Sequence, residues 1–125
     1  MTKKSTPSPP PQLRGRIWIE LNGGPALTEA GADLLEQIQI CGSLSQAARR
    51  LHYSYRRAWM LIDNMNRRWP SPLVATATGG KHGGGASLTE QGVAVLRAYR
   101  DLQLQLEHLL GRQASAFIAA THSQK

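Results

Sequence analysis

The stretch that most constrains this chain is Ser45 to Trp69, where two short apolar-periodic runs are separated by only His52 and Tyr53 and stopped by Pro70 and Pro72. In the first run Ala47, Ala48 and Leu51 recur on one helical face. In the second, Ala58, Leu61, Ile62, Met65 and Trp69 form an inward stripe, and Ser54 stands where an N-cap belongs. So brief a link makes the second helix cross the first, and the small Ala47 and Ala48 let the two backbones approach. The arrangement predicts a helix-turn-helix, with the first helix over Ser45–Leu51 and the second ending at Trp69, where proline lacks the N–H a helix needs.

The segments on either side extend this frame. Leu73–Thr78 and Ala86–Leu88 read as paired strands around Gly79-Gly-Lys-His-Gly-Gly-Gly85, whose five glycines in seven residues make a hairpin tip, or wing. Upstream, Arg14–Leu21 alternates as a short strand, Asn22–Pro25 is a turn, and Leu27–Cys41 is a helix with Thr28 as its N-cap and Gly42 as its stop. Thr89 caps a last long helix reaching about Gly111 or a few residues further. The run Leu27-Thr-Glu-Ala-Gly31 is echoed by Leu88-Thr-Glu-Gln-Gly92, which reads as one strand-to-helix capping solution used twice.

These elements define an α+β, mainly helical fold: a winged helix-turn-helix with a two-stranded wing and a long C-terminal dimerisation helix. Its expected limits are a disordered arm over residues 1–13, with four prolines in Met1–Gln12, a domain over 14–111 whose dimerisation helix is 89–111, and a flexible tail over 112–125. In the last helix Val95, Tyr99, Leu102, Leu106 and Leu109 are spaced 4, 3, 4, 3, the seam of a coiled coil, which points to a homodimer. With 125 residues and only seven aromatics, the chain is sized for one domain with an aliphatic core.

Charge supplies the function class. Fifteen Lys and Arg face eight Asp and Glu, for a net +7. Residues 49–81 carry seven of those cations (Arg49, Arg50, Arg56, Arg57, Arg67, Arg68, Lys81) against Asp63, a net +6, whereas residues 15–48 are net −3. A basic middle beside an acidic flank suits a polyanion. Opposite the inward stripe, Arg56, Met60, Asp63 and Arg67 face out, with Arg57 and Asn64 beside them and Tyr55 and Trp59 along one edge. The expected DNA contacts are Ser45 and Gln46 on the first helix, Ser54, Tyr55, Arg56 and Arg57 on the second, and Thr78, Gly79, Gly80, Lys81 and His82 on the wing. Asp63, two turns in, is poorly placed for DNA.

Other chemistries find little support. Gly80-Lys81 lacks the preceding glycine and following hydroxyl of a P-loop, because Ala75 and His82 stand there. His52, His82, His108 and His122 have no ligand spacing, so no metal site and no cofactor is expected. Cys41 closes an apolar stripe and reads as a buried structural thiol. No paired carboxylates or Ser/His/Asp set presents itself, so the chain is expected not to be an enzyme. The alternative is a small protein–protein interaction or assembly module whose basic face is incidental.

The runs Cys41-Gly-Ser-Leu-Ser-Gln-Ala-Ala48, Tyr53-Ser-Tyr-Arg-Arg-Ala-Trp-Met-Leu-Ile-Asp-Asn-Met-Asn66 and Ala77-Thr-Gly-Gly-Lys-His-Gly-Gly-Gly-Ala-Ser-Leu-Thr89 resemble the N-terminal DNA-binding domain of the ModE family, molybdate-responsive bacterial regulators with a LysR-like winged helix. The likeness spans roughly Leu34 to Leu110. It implies that the helix opened by Ser54 reads the major groove and that Thr78–Gly84 form the wing. It also implies that dimers built on the first and last helices bind an inverted-repeat operator. Members of that family usually continue into molybdate-binding domains, for which the residues after the last helix leave no room, so no molybdate site is carried over. The expected role is a bacterial transcriptional regulator connected with molybdenum metabolism, whose partners are double-stranded DNA and a second copy of itself. No apolar run approaches the ~18 residues that span a bilayer, and the N-terminus has no apolar targeting core. The expected location is therefore the cytoplasm, with no membrane partner.

Overall fold

A computed structural model describes residues 12–77 and 85–122. Its elements follow the chain as β1 (Ile19–Leu21), β2 (Gly24–Leu27), α1 (Glu29–Cys41), α2 (Leu44–Leu51), α3 (Tyr55–Arg68), β3 (Val74–Thr76), β4 (Ala86–Leu88) and α4 (Glu90–His122). This is an α+β, mainly helical winged helix-turn-helix with a long C-terminal helix.

The first hairpin departs from the expected single strand and four-residue turn. The turn is only Asn22-Gly23, both at positive φ (53° and 82°), the two-residue geometry that Asn-Gly favours. Gly24–Leu27 then returns as β2, with Glu20 opposite Pro25 and Leu21 opposite Gly24. Pro25 is tolerated because a two-stranded ribbon leaves an outer edge on which no N–H is required. Residues 14–18, expected in the strand, join no ladder. Residues 14–17 lie beside α4 instead, where a Cβ on Gly15 would come within 3.0 Å of Leu110 Cδ1. The Tyr99 hydroxyl donates to the Ile17 carbonyl at 2.8 Å and holds that segment down.

The core gathers Leu34, Leu35 and Ile38 of α1, Ala47 and Ala48 of α2, Ala58, Ile62 and Met65 of α3, Leu73 and Val74 at the wing base, and Val95, Leu96 and Tyr99 of α4. Three corrections concern limits and burial. First, α2 starts one residue early, at Leu44, because Ser43 and not a later residue caps it, its Oγ accepting from the Gln46 N–H at 3.2 Å. Second, α4 runs through Gly111 to His122, so residues 112–122, expected as flexible tail, are helical. That makes α4 33 residues long, about 50 Å at 1.5 Å per residue. Third, Cys41 is half-buried and not enclosed, its Sγ 4.0 Å from Gln37 Oε1. The arm's residues 1–11 and the tail's residues 123–125 lie outside the described residues.

The acidic flank has an internal use. Arg100 of α4 sets Nη2 2.9 Å from Asp33 and 2.8 Å from Glu36, while Arg16 lies 3.6 Å from Glu29. Burial disfavours the Arg100 charge, but the hydrogen bonds it donates to Asp33 and Glu36 outweigh that and raise its pKa. The negative face of α1 therefore clamps α4.

Candidate nucleic-acid interface

The helix-turn-helix is set by local chemistry. His52 closes α2 in the left-handed region at φ 60°, and the Tyr53 N–H reaches back to the Ala48 carbonyl at 2.9 Å. Ser54 then caps α3 as expected, its Oγ accepting from the Arg57 N–H at 3.0 Å. That bond uses one lone pair and leaves the hydroxyl hydrogen free to donate. The Arg57 guanidinium lies 4.2 Å from the centroid of the Tyr53 ring, a cation–π contact that steadies it beside the turn.

Ser54, Tyr55, Arg56 and Arg57 are all exposed, so the first turn of α3 presents two guanidinium groups, a hydroxyl and a phenol to solvent. Ser45 and Gln46 are exposed at the start of α2, with the Ser45 hydroxyl 3.2 Å from that of Ser43. Further along α3, Asp63 pairs with Arg67 one turn on, which removes an isolated negative charge from the basic face. Tyr55 and Trp59 make an edge-to-face pair with centroids 6.2 Å apart. Thr78, Gly79, Gly80, Lys81 and His82 lie outside the described residues.

Sequence reasoning missed the residue that joins wing to helix. Asn66 of α3 accepts from the N–H groups of Leu73 (2.8 Å) and Val74 (3.2 Å) and donates to the Val74 carbonyl at 3.1 Å. One side chain thereby fixes the base of β3 to the last turns of α3. The available signal was an asparagine at a half-inward position, just before the prolines that turn the chain back.

The expected seam on α4 divides in two. Val95 and Tyr99 are 8% and 1% exposed and belong to the protomer's own core, so they offer nothing to a second chain. Leu106 is half-buried against Gly15, whereas Leu102 and Leu109 stay 43% and 44% exposed. Periodicity alone could not separate the two uses, because one stripe serves the core at its start and is uncovered further on. Among the described residues no helix is long and apolar enough to cross a membrane.

Residues 33–93 match the bacterial regulatory helix-turn-helix proteins of the lysR family. The chain is 38% identical over 97 residues to "Molybdenum transport protein ModE" of Azotobacter vinelandii, covering 78% of this chain and 36% of that protein. It is 44% identical over 75 residues to "Transcriptional regulator ModE" of Haemophilus influenzae, covering 60% and 29%. Against "DNA-binding transcriptional dual regulator ModE" of Escherichia coli K12 the identity is 45% over 74 residues, covering 59% and 28%. The chain thus spans about a third of the length of these relatives.

Proposed function

This chain carries a helix-turn-helix domain of the lysR family, and from that premise we propose that it is a sequence-specific DNA-binding transcriptional regulator linked to molybdenum. The observation that supports this most directly is the exposed first turn of α3, where Arg56 and Arg57 project from a serine-capped helix end. In this reading α3 enters the major groove, and Arg56 bridges guanine O6 and N7. Arg57 and the Ser54 hydroxyl engage phosphates, as do Ser45 and Gln46 at the start of α2. Tyr55 packs along the groove wall. Thr78, Gly79, Gly80, Lys81 and His82, in the segment joining β3 to β4, contact the neighbouring backbone.

The protein acts as a homodimer on an inverted repeat, with Leu102, Leu106 and Leu109 of α4 meeting their counterparts across a two-fold axis. The cytoplasm is its setting, and catalysis forms no part of its role. The alternative of an assembly module with an incidental basic face is not favoured, because similar proteins are named as regulators.

The test is a gel-shift titration at several salt concentrations with DNA selected from a random library. Wild-type affinity should fall steeply with salt as counterions are released. Replacing Arg56 and Arg57 with Ala should abolish sequence preference while leaving the circular dichroism spectrum unchanged. Unchanged affinity in the double variant would refute the assignment of α3 as the reading helix.

A further inference from the structure

The outward stripe of α3 contains one group that a phosphate-binding face does not call for. Met60 lies one turn beyond Arg56, at the centre of the face turned away from the buried Ala58, Ile62 and Met65, and it is 62% exposed. The polar residues that follow it on that side of the helix are engaged within the protein: Asp63 with Arg67, and the Asn64 amide with the Pro25 carbonyl at 3.2 Å. Trp59 (39% exposed) and Tyr55 (55% exposed) lie toward one edge of the same helix, so exposed apolar surface interrupts a cationic helix. Leaving such surface in water has no benefit for the free protein. Phosphates and most base edges are polar, but the major groove displays one apolar group, the 5-methyl of thymine. An unbranched thioether chain adapts to it readily.

We propose that Met60 determines specificity by packing its side chain on a thymine methyl in each half-site, one helical turn from the base contacted by Arg56. The inference rests on the DNA-binding reading above and deepens it. It assigns Arg56 and Met60 to adjacent positions of the site, one read by hydrogen bonds and the other by apolar contact.

The test begins with the full chain and a random duplex library. Each thymine of the enriched sequence is then replaced in turn by deoxyuridine, which removes only the methyl group. Wild-type affinity should fall about fourfold at one thymine per half-site, the factor that corresponds to burying one methyl group. Met60→Ala should bind the thymine site as weakly as wild type binds the deoxyuridine site, and should not distinguish the two. Met60→Leu should still distinguish them. Because Met60 is exposed, neither variant disturbs the core. Tolerance of deoxyuridine at every thymine, or an equal loss in Met60→Ala, would overturn the role of Met60 while leaving the DNA-binding reading in place. A selection that enriches no sequence would overturn both.

Discussion

Leu27-Thr-Glu-Ala-Gly31 and Leu88-Thr-Glu-Gln-Gly92 open two helices with nearly the same five residues, and locally they behave alike. Thr28 Oγ1 accepts from the Gly31 N–H at 3.1 Å, and Thr89 Oγ1 accepts from the Gly92 N–H at 3.0 Å. What surrounds them differs. Beside Gly31 lies the end of a flexible side chain, Met65 Sδ, 3.1 Å from where a Cβ would stand. Against Gly92 lies main chain, the Leu73 carbonyl oxygen, only 2.1 Å from the corresponding point. Thr89 also donates through its hydroxyl to Pro72 O at 2.7 Å and through its N–H to Leu73 O at 3.0 Å. The second corner is therefore a joint between wing and helix, while the first is mainly a helix start. Equal local sequence does not mean equal mechanical importance.

The largest contrast should appear at the glycines. Gly92→Ala pushes a methyl into backbone that cannot yield, and should cost about 3 kcal/mol, the upper end for overpacking. Gly31→Ala displaces only a methionine sulfur and gains helix propensity, so its net effect should lie within about 0.5 kcal/mol. Urea unfolding of both variants checks this, and equal losses would erase the distinction between the two corners.

Next come the asparagines that tie α3 to each hairpin. Asn66→Ala leaves two N–H groups of the wing base without their acceptor and should cost about 2 kcal/mol. Under the proposed function it should also weaken DNA binding, since β3 loses its tether to α3. Asn64→Ala removes one exposed hydrogen bond to Pro25 and should cost about 0.5 kcal/mol. Thermal melts with parallel gel shifts separate the two, and a DNA-binding defect confined to Asn64→Ala would reverse the assignment.

The smallest difference is expected between the caps. Thr28→Ala should cost about 1 kcal/mol, as N-cap losses do. Thr89→Ala should cost about 0.5–1 kcal/mol more, because its hydroxyl also donates to the Pro72 carbonyl. Serine at either position restores the acceptor and should recover most of the loss in the same denaturation assay.

Much of the architecture was legible residue by residue. Ser54 before a helical apolar stripe, Gly42 after another, and the prolines following Trp69 each act through the backbone within a few residues, so their effects survive removal from context. The parts that were not legible involve partners far along the chain. Asn22–Pro25 read as a turn because proline cannot continue a ladder, yet Pro25 stands opposite Glu20 in the returning strand. The stripe Val95, Tyr99, Leu102, Leu106, Leu109 gave no sign of where the core stops covering it. That boundary depends on residues 12–17 lying along α4, held through Tyr99 and Ile17. No local pattern marks Arg100, yet Asp33 and Glu36, more than sixty residues earlier, make it a clamp.

The sequence alone determined that the helices exist, the N-caps Thr28, Ser54 and Thr89, and the identity of the cations on the outward face of α3. These follow from short-range sterics, capping hydrogen bonds and a 3.6-residue period. Tertiary structure decided which of two equivalent glycines is indispensable, which half of the α4 stripe remains exposed, and which charges are neutralised inside the fold. Those outcomes depend on what packs against each group, and atoms tens of residues apart are brought within 3 Å only by the fold itself.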